Sequence, residues 1–299
     1  MIKTCELLSY SQSDFAPVFS AANMEIYPYQ IAAAQFALQI PSRKGAILCD
    51  EGSLGKTYEA LLVAAQKFFH GYERQLLILP ANLLFQWREI LENALPLPYH
   101  IWEGGQNLPT EAGLIITTYQ HALKQHETIS QNIWDPVIFE EANILAKLEN
   151  KITSTLKIAC QGAFKLLLTP TPITMSIMDI YGLIHFIDES VLPDADHFYK
   201  RYFRKSENYP ELSEWVSQFA FRTLKKQVTN YVNFTRRLAF MLTYELSQKE
   251  QEIYDKLAVY LACPDKQACP KIDLYDLTLM LYHILASCPQ AIHRTIVKL

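Results

Sequence analysis

No apolar run in this 299-residue chain approaches the roughly 20 residues that a bilayer-crossing helix needs, so a membrane protein is not expected. The N-terminus, Met1-Ile2-Lys3-Thr4-Cys5-Glu6, lacks the basic region and apolar core of a secretory leader, which makes a cytosolic protein the expectation. Cysteine is sparse and scattered (5, 49, 160, 263, 269 and 288). Cys263 and Cys269 stand too far apart for a CxxC clamp, so zinc is not expected and buried free thiols are. An excess of positive charge is missing too. The formal net charge of −4 is not the footprint of a protein that binds nucleic acid through bulk charge, although a local basic groove remains open. Internal repeats and low-complexity tracts are absent. With 50% hydrophobic and 19% charged residues, the chain has the balance of a globular protein, long enough for one large or two ordinary domains with proper cores.

The most informative segment is Asp50-Glu51-Gly52-Ser53-Leu54-Gly55-Lys56-Thr57. It follows a short apolar run at 46–49, read as a buried strand, and precedes a helix-like stretch from about 57 to 69. Strand, glycine-containing loop, Lys-Thr and helix is the context in which a phosphate-binding loop works. Backbone N–H groups of the loop and of the helix N-terminus point at phosphate oxygens. Lys56 is expected to reach the β- and γ-phosphates, and the Thr57 hydroxyl to ligate Mg²⁺. Asp50 stands where the general pattern has its first glycine.

Further strand-length apolar runs lie at 76–79, ended by Pro80, and at 114–118, 136–139 and 164–169. Helical patterns lie at 30–38, after Pro28, and at 83–93. Buried strands alternating with helices predict an α/β fold, a parallel sheet with helices on both faces. Ligands bind at the carboxyl ends of such strands, where the loop, Glu140-Glu141 and Thr169 would all sit. Beyond Pro172 the spacing is helical, apart from a strand expected over 237–244. A helix over 245–261 starts with a capping box at Ser247 and Glu250. Positive charge concentrates at Lys200, Arg201, Arg204, Lys205, Arg222, Lys225, Lys226, Arg236 and Arg237. That cluster reads either as solvated helix faces or as phosphate contacts. Glu140-Glu141 has two readings as well: acids favouring a helix start, or a magnesium-shell carboxylate beside a water-orienting base.

Taken in order, these motifs resemble the first RecA-like lobe of a superfamily-two helicase of the Swi/Snf-related DNA translocase group. Tyr27-Pro28-Tyr29-Gln30 resembles the family's Q-motif, whose Gln reads the adenine edge. The loop is similar to Asp-Glu-Met-Gly-Leu-Gly-Lys-Thr, in which Asp also takes the first position. The segment 79–87, with its Gln86-Trp87, and Ile115-Ile116-Thr117-Thr118-Tyr119 resemble the two motifs that touch the DNA backbone. Glu140-Glu141-Ala142-Asn143 falls where the family carries Asp-Glu-Ala-His. Leu167-Leu168-Thr169-Pro170-Thr171-Pro172 is similar to Leu-Leu-Thr-Gly-Thr-Pro, which couples hydrolysis to lobe movement. The likeness continues through Ile180-Tyr181-Gly182-Leu183-Ile184 (Leu-Trp-Ser-Leu-Leu in the family), the segment 221–228 and the segment 246–254.

The resemblance implies a lead-in over 1–24, a RecA-like lobe over 25–245, and a helical extension over 246–299 toward a second lobe. It implies ATP and Mg²⁺ as ligands. Gln30 would hold adenine, Gly52, Ser53, Leu54, Gly55, Lys56 and Thr57 the phosphates, and Thr57 with Glu140 the metal; Lys56 and Glu141 would be catalytic. Duplex DNA and a second RecA-like lobe are the implied partners, and the location is cytoplasmic, at the nucleoid in a bacterium or in the nucleus of a eukaryote. Departures from the pattern are Ser53 for a loop glycine, Glu140 for Asp, Asn143 for His and Pro170 for Gly. Nothing between 260 and 299 can build a second sheet. Two functions stay open: half of an ATP-driven translocase, or a non-motor nucleotide- or DNA-binding regulatory module. A small-molecule kinase is disfavoured by the motifs that resemble DNA-facing ones.

Overall fold

The computed structural model describes residues 25–39, 44–94, 97–235, 239–243, 245–262, 274–288 and 292. The lead-in over 1–24, Cys5, Cys263, Cys269 and the Arg236-Arg237 pair lie outside them. Seven strands form one sheet: β1 (Gly45–Leu48), β2 (Arg74–Leu79), β3 (Tyr99–Ile101), β4 (Gly113–Thr118), β5 (Val137–Glu140), β6 (Lys165–Leu168) and β7 (Ala220–Phe221). Their order is β3-β4-β2-β5-β6-β1-β7, and every pairing is parallel. The register sets Gly45 beside Lys165 and Leu48 beside Leu168.

The unbroken apolar runs follow from burial on both faces, since alternate residues of each strand feed different cores. Ile47, Leu76, Ile78, Ile115, Phe139 and Leu167 join one apolar cluster. Their neighbours Leu48, Leu77, Leu79, Ile116, Ile138 and Leu168 join the other. Each such side chain, fully buried, contributes roughly 1.5–3 kcal/mol of transfer free energy. The second cluster is closed by α1 (Pro28–Leu38), α2 (Lys56–Phe69) and α3 (Leu84–Ala94). Ala33, Ala34 and Ala37 of α1 and Ala60, Ala64 and Ala65 of α2 are buried there, and small side chains let these helices lie close. The first cluster is closed by α4 (Tyr119–Lys124), α5 (His126–Ser130), α6 (Lys151–Ala159), α7 (Met178–Ile187), α8 (Ala195–Tyr202) and α9 (Tyr209–Val216).

Two elements differ from expectation. A strand over 237–244 is not found among the described residues 239–243, where Phe240, Met241 and Leu242 are 82%, 90% and 89% exposed. A continuous apolar run makes a strand only where both faces are covered, and here neither is. Conversely, β7 arises after Pro172, where no other strand was anticipated. Its two residues carry no pattern of their own and are recruited by main-chain bonds to β1, Ile47 N–H to Phe219 O at 2.8 Å and Cys49 N–H to Phe221 O at 2.8 Å.

Contacts divide the chain into Met1–Phe234 and Thr235–Leu299. The second unit contains α10 (Gln248–Ala262) and α11 (Leu274–Ser287), which share a cluster of Leu257, Leu277, Leu281, Leu285 and Ile292. The capping box before α10 forms as expected: Glu250 accepts from Ser247 N–H at 2.9 Å, and the Ser247 hydroxyl accepts from Glu250 N–H at 3.4 Å.

Gly182, in α7, stands where the family pattern has Ser. A Cβ there would sit 1.7 Å from the Ala146 carbonyl oxygen. Replacing an interior helical glycine ordinarily gains up to ~1 kcal/mol, whereas overpacking costs about 1–3 kcal/mol. Gly182→Ser is therefore expected to lower the urea midpoint. A midpoint equal to or above the wild type would show that the close approach is not kept in solution.

Candidate functional site

The loop at the carboxyl end of β1 is built from two left-handed residues, Ser53 (φ 67°) and Gly55 (φ 91°). Such turns aim successive N–H groups into one concavity that suits an anion. At Ser53 the left-handed backbone costs about 1–2 kcal/mol, partly balanced by the roughly 0.5–1 kcal/mol that a non-glycine residue gains from the unfolded chain. No such balance exists at 55, where a Cβ would meet Gln30 Nε2 at 2.4 Å. Leu54, between the two, is buried against Tyr29 and Val228 and anchors the loop. Gly52 and Ser53 are exposed, and Gly55, Lys56 and Thr57 are half-buried at the start of α2.

Gln30 holds the loop from behind. Its Nε2 donates to Leu54 O at 3.0 Å, and its Oε1 accepts from Tyr27 N–H at 3.0 Å. The structure thus brings Gln30 to the loop, with its amide on main-chain groups. Lys56 Nζ donates to Asp50 O at 2.9 Å, folded back over the root of its own loop.

Acids surround that ammonium. Asp50 is fully buried, and its Oδ1 accepts from Thr223 N–H at 2.6 Å. Burial holds its carboxyl above the usual range, against the Thr223 bond and the Lys56 charge. Glu59, in α2, is also fully buried. Burial first, and then the Asp50 carboxylate beside it, keep its carboxyl well above the usual range. Asp50 Oδ2 and both Glu59 oxygens find no hydrogen-bond donor, and the proton that the raised Glu59 carboxyl keeps offsets the repulsion between the two acids.

Glu140 ends β5 and is 6% exposed, with its Oε2 unpartnered. Its carboxyl is pushed up to about 7 by burial and by Glu141, while Lys56 pulls the other way. Glu141 takes the left-handed turn after the strand (φ 51°) and is half-buried, and Asn143 is exposed. Thr169 follows β6, pairing its N–H with Leu48 O at 3.1 Å. All these groups share the carboxyl edge of the sheet.

Of the described residues of the basic cluster, Arg222 reaches this edge with its side chain, and Lys225 with its main-chain N–H, which donates to Glu51 Oε2 at 2.5 Å. Arg222 Nη1 donates to Cys49 O at 2.8 Å and to Pro170 O at 2.9 Å, joining the root of the loop to the segment after β6. Arg201 pairs with Glu211 at 2.8 Å, while Lys200, Arg204, Lys205 and Lys226 are exposed. In the segment after β2, Asn82, Phe85 and Gln86 are exposed and Trp87 is buried. After β4, Thr117 donates to Trp102 O, Thr118 caps α4 by accepting from His121 N–H, and Tyr119 donates to Glu140 O at 3.0 Å. Two positions were not legible beforehand. Glu59 looks like an ordinary surface acid of a helix and is marked only by its place among buried alanines and leucines. Arg222 reads as one charge among nine, and its contacts across the sheet leave no trace in local spacing.

A model of the SNF2-related domain matches residues 29–279. The ATP-dependent helicase YqhH of Bacillus subtilis (strain 168) is 28% identical over 245 residues, 77% of this chain and 42% of that protein. A chromodomain-helicase-DNA-binding protein 1-like of Danio rerio is 28% identical over 250 residues, 77% of this chain and 24% of that protein. The SWI2/SNF2 ATPase core domain of Sulfolobus solfataricus superposes with a TM-score of 0.67 at 20% identity, over 96% of this chain and 60% of that one. That organism's core in complex with dsDNA gives a TM-score of 0.62 at 24% identity, over 69% and 46%. These two likenesses concern the fold. The chain spans less than half the length of the two curated relatives.

Glu140 carries a pH signature. Its folded value of about 7 lies above the ordinary 4.5, so the folded state binds the extra proton between those values. Its contribution to stability is therefore full below pH 4.5, falls as pH rises to about 7, and is flat beyond. The loss is up to roughly 3 kcal/mol. Glu140→Gln is expected to remove this slope. Urea midpoints for both proteins at several pH values would measure it, and identical slopes would refute the assignment.

Proposed function

The chain belongs to the SNF2-related domain family, and we propose that it is the ATP-binding N-terminal lobe of an ATP-dependent DNA translocase, incomplete for hydrolysis until a second RecA-like lobe closes on it. The observation that carries this reading is the left-handed loop at Ser53–Gly55 sharing one sheet edge with Lys56, Thr57 and the unpartnered Glu140 oxygen. A concavity of N–H groups, an ammonium, a hydroxyl and a buried acid fit a nucleoside triphosphate with its Mg²⁺.

When bound, ATP·Mg²⁺ supplies a phosphoanhydride under attack by water, with the metal offsetting the charge that develops. The chain's residues do the rest. Gly52, Ser53 and Gly55 would donate main-chain N–H groups to phosphate, while Leu54, whose N–H closes the loop on Glu51 O at 3.2 Å, would shape the cradle. Lys56 leaves the Asp50 carbonyl for the outer phosphates. Thr57 and Glu140 would hold the metal, Glu140 in its ionised form. Glu141 orients water, and Gln30 reads the adenine edge while bracing the loop. Pro170 offers no N–H to the coupling segment, and Arg222 holds that segment by its carbonyl instead.

Duplex DNA is the proposed partner, met by the exposed residues after β2 and the exposed lysines. Such a protein works where its DNA is, at a nucleoid or in a nucleus. The segment 246–299 is read as a helical extension toward the second lobe. Among the described residues no helix is long and apolar enough to cross a membrane.

Lys56→Ala is expected to weaken binding of a fluorescent ATP analogue roughly tenfold or more, the loss of a charge-assisted phosphate contact. Unchanged affinity would remove the site assignment. Turnover of the chain alone is expected near background with or without DNA. It should rise by about 10³ or more when a second lobe supplies its arginine. Background turnover with both DNA and second lobe, while analogues still bind, would favour a regulatory module.

A further inference from the structure

The opposite, amino edge of the sheet holds a cavity of about 600 Å³ between the starts of β1 and β6 and the ends of α6 and α7. Its charges are unequal. Lys44 pairs with Asp188 at 2.7 Å, and Lys157 pairs with Glu189. Lys165, which opens β6 and is 4% exposed, has no carboxylate partner; its Nζ makes one long bond, to Ile187 O at 3.4 Å. Thr153, 1% exposed on the same wall, has a hydroxyl with no partner. Leu148, Ile158 and Phe186 give the cavity an apolar side.

A buried ammonium without a counter-ion is unfavourable, and burial holds Lys165 below the usual lysine range. The α7 carbonyl end offsets part of this through Ile187 O. It leaves donors of the ammonium unused, and the Thr153 hydroxyl, in the lining of the same cavity, is unpartnered too.

We propose that this cavity is a binding site for a small organic carboxylate, whose anionic end takes the Lys165 ammonium and the Thr153 hydroxyl and whose body lies on Leu148, Ile158 and Phe186. One unpaired positive charge matches a monoanion. Lys44 and Lys157 on the rim are taken up by Asp188 and Glu189, which leaves no second positive charge for a phosphate dianion or a polyanion such as a nucleic-acid backbone. The site lies across the sheet from the nucleotide loop and does not depend on the function assigned to that loop.

Isothermal titration of the whole chain with benzoate and with acetate, at constant ionic strength, tests the proposal, with inorganic phosphate as the competing class. Benzoate is expected to bind more tightly than acetate, because the apolar wall recognises its ring. Lys165→Met should weaken benzoate binding roughly ten- to a hundredfold, the range for a hydrogen bond to a buried charge. Thr153→Val, close in shape and independent of the lysine, should weaken it by a smaller factor. Lys56→Ala should leave it unchanged. Failure of the wild type to bind either carboxylate at millimolar concentration overturns the proposal. So does undiminished binding by Lys165→Met or Thr153→Val, or preference for phosphate.

Discussion

The tie on which the nucleotide edge depends is the bond from Thr223 N–H to the buried Asp50 carboxylate, 2.6 Å long. It joins the root of the phosphate loop to a segment far along the chain, and the parallel ladder of β1 and β7 continues into it through Glu51 N–H and Thr223 O at 3.1 Å. Arg222 reinforces it by bridging the Cys49 and Pro170 carbonyls. A glycine at position 50 would satisfy the loop's backbone and lose this connection. The Asp that breaks the general phosphate-loop pattern is thus a structural device, and the loop's conformation is held partly from outside the loop.

Burying that carboxylate has electrostatic consequences. Three acids, Asp50, Glu59 and Glu140, lie near one ammonium, Lys56, each with at least one oxygen that finds no hydrogen-bond donor. Desolvation raises all three, and the result is an edge that carries protons when it holds no cation. Lys56, held back on Asp50 O at 2.9 Å, offsets only part of this. Glu140 for Asp is a coherent part of this arrangement, because its longer side chain still ends β5 facing Lys56.

Much of the sheet was legible because burial on both faces writes itself as unbroken apolar runs. Leu76–Leu79, Leu114–Thr117 and Leu166–Leu168 could be read directly. The α10 capping box was legible because its two partners are three residues apart. Neither β3, with half-buried residues and three positions, nor β7, with two, has enough length to carry a period. The strand expected near Phe240–Leu242 failed for the reverse reason: apolar composition alone lacks a partner.

By itself the sequence determined the order of strand, loop and helix, the chemistry offered at Gln30, Lys56, Thr57, Glu140 and Glu141, and the likeness to Swi/Snf translocase lobes. These are local facts, set by residue type and spacing over short stretches. Tertiary structure alone decided that Glu59 is buried against Asp50, that Arg222 bonds main-chain carbonyls rather than facing solvent, that Gly55 is forced by the Gln30 amide as well as by its own backbone, and that Lys165 lies in a cavity without a carboxylate. Each of these joins residues that only the packed sheet brings together, and burial, which sets their charge, is a property of the fold rather than of any segment.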